Sequence, residues 1–323
     1  MSNPTLLVMA DPSSQYLKPL SRLPSEVRTI ITNDRSKLPT LAADADVLLN
    51  ADFRDLRLLP DMFPYAKRVQ WIHSIAAGID AVLSPELIAS PVIMTNGRGV
   101  YRRPLGEWVI AAMLFFSYSI RRLLDQQKAA RWEKFESIPL SGRTLGIIGY
   151  GEIGRTAAEL AKPFGMRIVA VRRKPERSSS DPLLDAIYPP SRMNEMIAEC
   201  DFVVVAAPLT PETNKLVGVT QFEAMKRSAV IINVGRGPVI DEKAMIAALE
   251  SGRIRGAGLD VFEVEPLPAD SSLYKLNNVL LSPHCADHTP GWLDRAVEFF
   301  VDNFERFRKG EPLQNVVDKH AGY

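Results

Sequence analysis

Residues 144–173 read TLGIIGYGEIGRTAAELAKPFGMRIVAVRR. The apolar run Leu145-Gly146-Ile147-Ile148 lacks polar alternation, as a strand buried on both faces of a parallel sheet does. It enters Gly149-Tyr150-Gly151-Glu152-Ile153-Gly154, a G-x-G-x-x-G. A helix is expected from about residue 155 to 164, with Pro163 in its last turn and Gly165 ending it. Arg167-Ile168-Val169-Ala170-Val171 reads as a second buried strand. Strand, glycine turn, helix and strand within about thirty residues is the setting a dinucleotide-binding turn requires. Gly149 allows the tight turn, Gly151 leaves room for a pyrophosphate, and Gly154 lets helix and strand pack closely. The helix N-terminus then turns N–H groups and a positive dipole end toward the phosphates.

The end of the second strand bears on the choice of dinucleotide. An NAD site usually carries Asp or Glu there to bind the ribose 2′-hydroxyl. Here the residues are Arg172-Arg173-Lys174, with no carboxylate until Glu176. A carboxylate repels a 2′-phosphate, whereas paired guanidinium groups form charge-assisted bonds to it. NADP(H) is therefore the expected cofactor, with NAD(H) left open.

The chain has 323 residues, 46% hydrophobic and 24% charged, and a formal net charge of +1. That is the composition of a globular protein with room for two cores. The charge gives no overall field to draw nucleic acid or a membrane, and neither partner is expected. Cys200 and Cys285 lack metal-ligand spacing, and no metal is expected. No apolar run reaches membrane-spanning length and the N-terminal stretch does not read as a signal peptide, so a reduced, cytoplasmic setting is expected.

Outside the opening stretch, strands are expected at residues 5–10, 46–50, 68–72 and 92–95, with helical segments between, such as 37–45. Alternation of this kind implies a parallel α/β unit. The third strand runs into His73-Ser74-Ile75-Ala76-Ala77-Gly78, small residues whose turn could bring N–H groups to a carboxylate. Residues 96–100 read as a hinge. One long helix is expected from about 103 to 128, apolar on nearly every side and so buried at a domain junction or subunit interface, with Arg121 and Arg122 suiting the dipole at its far end. Trp132 stands out in a polar loop.

Farther on, strands are expected at 201–208, 229–234, 257–262 and 279–282. Asp241 is expected to cap a helix at 242–250 that Gly252 closes, and an amphipathic helix at 292–308 ends the chain. Three successive strands deliver Arg236, Glu265 and His284 to their carboxyl ends, the edge on which the glycine turn lies. A guanidinium can grip a substrate carboxylate, an imidazolium can give a proton to a carbonyl oxygen as hydride reaches carbon, and a carboxylate keeps that imidazole oriented and protonated. These are the groups a 2-oxo acid reductase needs.

At this point the chain resembles the D-isomer-specific 2-hydroxyacid dehydrogenases. The resemblance rests on GYGEIG at 149–154, DFVVVAAPLTPETNKLVG at 201–218, NVGRGPVIDEKAMIAALESGRIRGAGLDVFEVEP at 233–266 and SPH at 282–284, and it covers nearly the whole length. It implies an α/β fold of two Rossmann-like, doubly wound parallel-sheet domains, the cofactor domain inserted into the substrate domain. Residues 1–98 with 289–323 would form the substrate domain and residues 99–288 the NAD(P)-binding domain. A homodimer built on the long helix is implied as well. So are Arg236 as substrate ligand and His284 with Glu265 as the acid–base pair. The Ala76-Ala77-Gly78 turn matches the family's carboxylate-binding loop. The implied cofactor set is Gly149, Tyr150, Gly151, Glu152, Ile153, Gly154, Arg172, Arg173, Ala207, Pro208, Thr213, Val234, Gly235 and Asp260.

Glu265 stands where the family's formate-oxidising branch has Gln, which argues against that activity. The chain stops soon after its closing helix, so no regulatory domain like that of long phosphoglycerate dehydrogenases is expected. Cys285-Ala286-Asp287-His288-Thr289 is more polar than the small residues usual after the histidine. The Arg172-Arg173 pair places the chain nearest the NADP-dependent glyoxylate and hydroxypyruvate reductases, with reduction of a small 2-oxo acid to the D-2-hydroxy acid as the expected reaction. Two other readings use the same residues: a dinucleotide-binding corepressor or sensor without turnover, and oxidation of another small acid such as phosphite.

Overall fold

The computed structural model describes residues 4–323, so the first three residues of the expected 1–98 segment lie outside it. The chain divides into two compact units, one made of the chain up to Tyr101 together with Thr289–Tyr323, the other Arg102–His288.

In the first unit, strands β1 (Thr5–Met9), β2 (Arg28–Ile31), β3 (Val47–Asn50), β4 (Trp71–Ser74) and β5 (Ile93–Asn96) form a sheet in the order β2-β1-β3-β4-β5. Every pairing is parallel. This is a doubly wound order with its reversal between β1 and β3. Helices α1 (Leu38–Ala43), α2 (Leu58–Met62) and α3 (Pro85–Ala89) lie in the crossovers. Leu7, Met9, Leu48, Ile72 and Met94 supply one core face. The closing helix of the chain, Trp292–Lys309, supplies aromatic packing to Trp71, with Phe300 stacked on it at 5.2 Å and Phe307 at 5.3 Å. That is the core role its amphipathic pattern predicts.

The second unit holds α4 (Arg102–Ser117), α5 (Ile120–Lys128), β6 (Thr144–Ile148), α6 (Glu152–Ala161), β7 (Arg167–Val171), β8 (Ala186–Tyr188), α7 (Met193–Glu199), β9 (Phe202–Val205), α8 (Val219–Ala224), β10 (Val230–Asn233), α9 (Glu242–Glu250), β11 (Gly256–Leu259) and β12 (Val279–Leu281). Trp292–Lys309 is then α10. The seven strands run β12-β11-β10-β9-β6-β7-β8, all parallel. The order reverses between β6 and β9, where doubly wound sheets bind ligands at the strand carboxyl ends. Register places Ile148, Val205, Asn233, Leu259 and Leu281 in one row along that edge. The loops that follow each of them therefore start from a common line.

Several sequence expectations need correction. The helix expected over 103–128 is two helices, because Ser119 takes a left-handed conformation at φ 48°. The carbonyls that end α4 are taken by other groups: the Arg255 guanidinium reaches Phe116 O, and Ile138 N donates to Ser117 O at 3.0 Å. Arg121 and Arg122 thus fall in the first turn of α5, the wrong end for a favourable dipole contact, and Arg121 instead donates to Val279 O at 2.8 Å. Nor is α4 buried all round: Leu105, Val109, Ala112, Met113 and Phe116 are buried, while Ala111 is exposed and Trp108, Ile110, Leu114 and Phe115 are half-buried. Its buried face packs on α6, where a Cβ on Gly106 would sit 2.8 Å from Thr156 Cγ2. The α6 helix starts at Glu152 rather than near residue 155. Strands expected at 68–72 and 92–95 lie later, at β4 and β5, and two edge strands, β2 and β8, were not expected at all.

Candidate active site

Asn233 ends β10 with its side chain buried, and it shapes the turn that carries Arg236. Its Oδ1 accepts from Gly235 N at 3.0 Å, and its Nδ2 donates to Arg236 O at 3.0 Å. The Arg236 guanidinium donates to Gly235 O at 3.0 Å. A Cβ on Gly237 would fall 1.8 Å from Phe262 O, so this turn packs tightly on the loop after β11.

That loop begins at Asp260, which is 1% exposed. Its Oδ1 accepts from Ser282 Oγ at 2.6 Å, from Cys285 N at 3.0 Å and from Ala286 N at 3.1 Å. Its backbone carbonyl accepts from His284 N at 2.9 Å. One aspartate thereby grips both sides of His284. The grip matters because His284 sits at φ 50°, a conformation that costs a non-glycine residue roughly 1–2 kcal/mol. Strain of this kind persists only where surrounding contacts over-determine it.

The His284 ring is 44% exposed, with its Nδ1 2.7 Å from Glu265 Oε2. The other carboxylate oxygen of Glu265 accepts from Phe262 N at 2.9 Å. The hydrogen bond that His284 donates to Glu265 raises the His284 pKa above its ordinary value, against the opposing effect of burial and the Arg236 charge. Burial alone would push Glu265 up, but the bonds from His284 and Phe262 N, with the His284 and Arg236 charges, hold its carboxyl below the ordinary range. The pair is therefore biased toward imidazolium and carboxylate. The field of Arg236 acts on both members.

The glycine turn occupies the same edge. Gly149 sits at φ 93°, and a Cβ there would lie 2.6 Å from Ala207 N. A Cβ on Gly154 would lie 2.6 Å from Gly149 O and 2.8 Å from Ile147 Cγ2. Gly151 differs: its φ is −101° and a Cβ would meet nothing within 4 Å. The fold explains the first and third glycines and not the second, which fits the close approach of a dinucleotide. Gly151 is also the N-cap of α6 and offers no side chain to the first-turn N–H groups. Those donors suit a pyrophosphate. Glu152 and Ile153 open the helix, Glu152 pairing with Arg102 at 3.3 Å.

Other residues of the expected cofactor set line the same edge. Ala207 and Val234 are buried, Gly235 half-buried and Pro208 exposed. Thr213 Oγ1 donates to Pro208 O at 2.7 Å and accepts from Thr210 N at 2.7 Å, so its visible work is to fold the loop after β9. Arg172 N pairs with Tyr188 O at 3.1 Å, and Arg173 and Lys174 follow it exposed.

The Ala76-Ala77-Gly78 turn belongs to the other unit. It is pinned by Asn96 Nδ2 to Ala77 O at 2.7 Å, Gly97 N to Ala76 O at 3.1 Å and Tyr101 OH to Ile75 O at 2.7 Å. Trp132 is 93% exposed and His288 Nε2 lies 3.7 Å from Asp287 Oδ1. Sequence reasoning missed Asn233, the full reach of Asp260, and Asp181, whose carboxylate returns to the glycine turn. Asn233 and Asp260 had a signal: each is a polar residue closing an apolar strand. Asp181 had none. Among the described residues, no helix is long and apolar enough to cross a membrane, and no group of three or more acidic, His or Cys side chains could hold a metal ion.

Comparison with known proteins agrees with this geometry. Residues 110–286 match the model of the D-isomer specific 2-hydroxyacid dehydrogenase NAD binding domain. The chain is 34% identical over 273 residues to a glyoxylate reductase of Korarchaeum cryptofilum, covering 81% of this chain and 80% of that one. It is 35% identical over 285 residues to glyoxylate/hydroxypyruvate reductase B of Salmonella agona, covering 86% of each. A D-isomer specific 2-hydroxyacid dehydrogenase of Xanthobacter autotrophicus, solved with NADPH and MES, superposes with a TM-score of 0.84 at 27% identity over 100% of both chains. With the doubly wound sheets, the glycine turn and these similarities together, the chain belongs to the D-isomer specific 2-hydroxyacid dehydrogenase family of NAD(P)-dependent oxidoreductases.

Proposed function

We propose that the protein reduces a small 2-oxo acid of the glyoxylate or hydroxypyruvate type to the D-2-hydroxy acid, with NADPH as the preferred reductant. The observation that carries this reading is the 2.7 Å contact of His284 Nδ1 with Glu265 Oε2, beside Arg236 and on the edge that bears the glycine turn. An ionised carboxylate only accepts, so Nδ1 carries the hydrogen of that bond and Nε2 is the nitrogen that meets substrate. Arg236 takes the substrate carboxylate in a guanidinium fork and draws electron density toward the carbonyl oxygen. The nicotinamide, when bound, supplies hydride to the carbonyl carbon. His284 gives its Nε2 proton to the oxygen and is left neutral, still held through Nδ1–H by Glu265, until solvent reprotonates it.

Three observations support the finer points. Arg172 and Arg173 stand where a carboxylate would select NAD(H). The Xanthobacter relative was solved with NADPH. Relatives about one-third identical are named for glyoxylate and hydroxypyruvate. On this reading the Arg102–His288 unit holds the dinucleotide, and the enzyme is a cytoplasmic homodimer assembled on α4.

The test is loss of nicotinamide absorbance with NADPH or NADH and a panel of glyoxylate, hydroxypyruvate, pyruvate and a bulky aryl pyruvate. The expected result is NADPH oxidation on a small acid. Oxidation of NADH alone would overturn the cofactor preference. No turnover on any acid, with cofactor bound, would overturn the reaction.

A further inference from the structure

The segment after β7 is folded back on the glycine turn by two side-chain ties. Near its start the Arg172 guanidinium donates to Ser178 Oγ, and Ser178 is only 6% exposed although Arg177 and Ser179 on either side are exposed. Three residues on, Asp181 Oδ2 accepts from Arg155 Nε at 2.8 Å and from Tyr150 OH at 3.2 Å, while its Oδ1 takes Leu183 N at 3.1 Å. Tyr150 is the residue between the first two glycines and is 3% exposed, and Arg155 lies in the second half of the first turn of α6. Between the ties the backbone is held by local turns, Ser178 N to Pro175 O at 3.0 Å and Asp181 N to Ser178 O at 3.1 Å. A polar surface loop has no shape of its own to keep. This one is fastened to the end of β7 through Arg172 and to the pyrophosphate turn through Asp181.

We propose that Ser178 and Asp181 are positioning residues for the ribose 2′-phosphate of NADP(H), holding Arg172 and the basic residues after it in one arrangement beside the glycine turn. The proposal rests on the cofactor preference stated above. A guanidinium fork recognises a phosphate only in a fixed orientation, and an anchored side chain loses less freedom when the ligand arrives. Ser178 contributes no charge. Asp181 contributes the wrong one, since a carboxylate near a 2′-phosphate opposes it. Its charge is matched by Arg155, and across solvent the residual effect is weak. The two roles for Asp181 therefore predict opposite signs. If it acts only through charge, its removal tightens NADPH. If it acts by position, its removal weakens NADPH.

The experiment measures dissociation constants by calorimetry on the full-length protein for NADPH, NADH, 2′,5′-ADP and 5′-AMP, in the wild type, Ser178→Ala and Asp181→Asn, with a thermal melt of each. We expect both variants to bind NADPH and 2′,5′-ADP about tenfold more weakly, with NADH and 5′-AMP changed by less than about twofold. Equal weakening of all four ligands, or tighter NADPH in Asp181→Asn, would overturn the positioning role while leaving the cofactor preference intact. A wild type that binds 5′-AMP as tightly as 2′,5′-ADP would overturn the preference itself and this proposal with it.

Discussion

Glu265 Oε2 lies 2.7 Å from Nδ1 of His284, and the opposite oxygen of the same carboxylate is held by Phe262 N at 2.9 Å. The carboxylate is thus fixed at both oxygens, so it sets the plane of the ring as well as its charge. The ring in turn sits on a residue whose left-handed backbone is clamped by Asp260. Orientation, tautomer and protonation state of His284 come from Asp260, Phe262 and Glu265, three neighbours on the one loop after β11.

The pH dependence of reduction follows from that pair. Reduction needs the protonated ring, so rate is present below the His284 pKa and is lost as pH rises through it. Glu265 raises that pKa above the ordinary 6.5, so the falling limb of kcat/KM lies above that value in the wild type. Glu265→Gln removes the charge and the preferred acceptor, and the limb moves to lower pH. A pH profile of kcat/KM for NADPH-linked reduction reads this directly, and a limb that stays put would mean another group supplies the proton. His284→Ala is expected to cost roughly 10²–10⁴-fold in kcat, with cofactor affinity little changed.

Asp260 tests the clamp. Asp260→Ala strands the buried Ser282 Oγ and the half-buried N–H groups of Cys285 and Ala286. Each unsatisfied group costs roughly 1–3 kcal/mol before the loop relaxes. Relaxation would release His284 from its strained backbone, so kcat should fall even where the protein remains folded. Asp260→Asn keeps one carbonyl acceptor and should retain more of both. Denaturant unfolding alongside kcat and KM separates the effects, and an Ala variant with wild-type kcat would show that the clamp has no bearing on the chemistry.

The sheet that carries these loops was readable because its central strands are continuous apolar runs closed by glycines or polar residues, as at Ile148-Gly149 and Asn233-Val234-Gly235. The strands that were missed lie at edges. Arg28–Ile31 and Ala186–Tyr188 are short and largely not buried, so neither carries a run or an alternation long enough to register. The break in the α4–α5 segment has no Gly or Pro to mark it. It follows from Arg255, which reaches Phe116 O across 139 positions of sequence, and from Ile138. Arg236, Glu265 and His284 were each legible as strand-end residues. The tie of Asp181 to Tyr150 was not, since it spans 31 positions and depends on how a serine-rich loop folds back.

The two arginines after β7 make a separate prediction. Changing Arg172 and Arg173 together to Ser removes the groups expected to meet a 2′-phosphate and leaves the glycine turn untouched. Charge-assisted phosphate contacts of this kind are worth about 1.5–3 kcal/mol, so NADPH binding should weaken by roughly ten- to hundredfold while NADH changes little. Dissociation constants for both cofactors decide it. Equal weakening would mean that the arginines support the fold of the loop and do not read the phosphate.

The glycine turn separates fold from ligand in a pair of substitutions. Gly149→Ala places a Cβ 2.6 Å from Ala207 N on a backbone at φ 93°, so both the conformation and the contact oppose it. The conformational part alone costs roughly 1–2 kcal/mol, and this variant should melt earlier whether or not cofactor is present. Gly151→Ala meets no atom within 4 Å and sits at a φ of −101° that alanine adopts readily. Its unfolding free energy should be unchanged or up to about 1 kcal/mol higher, because alanine has less freedom to lose. Yet its methyl group would occupy the space that a pyrophosphate uses to approach the helix N-terminus, so cofactor affinity should fall by about tenfold or more. Thermal melts with and without NADPH compare the two directly. A Gly151→Ala protein that is stabilised by NADPH as fully as the wild type would show that the dinucleotide does not lie against this turn.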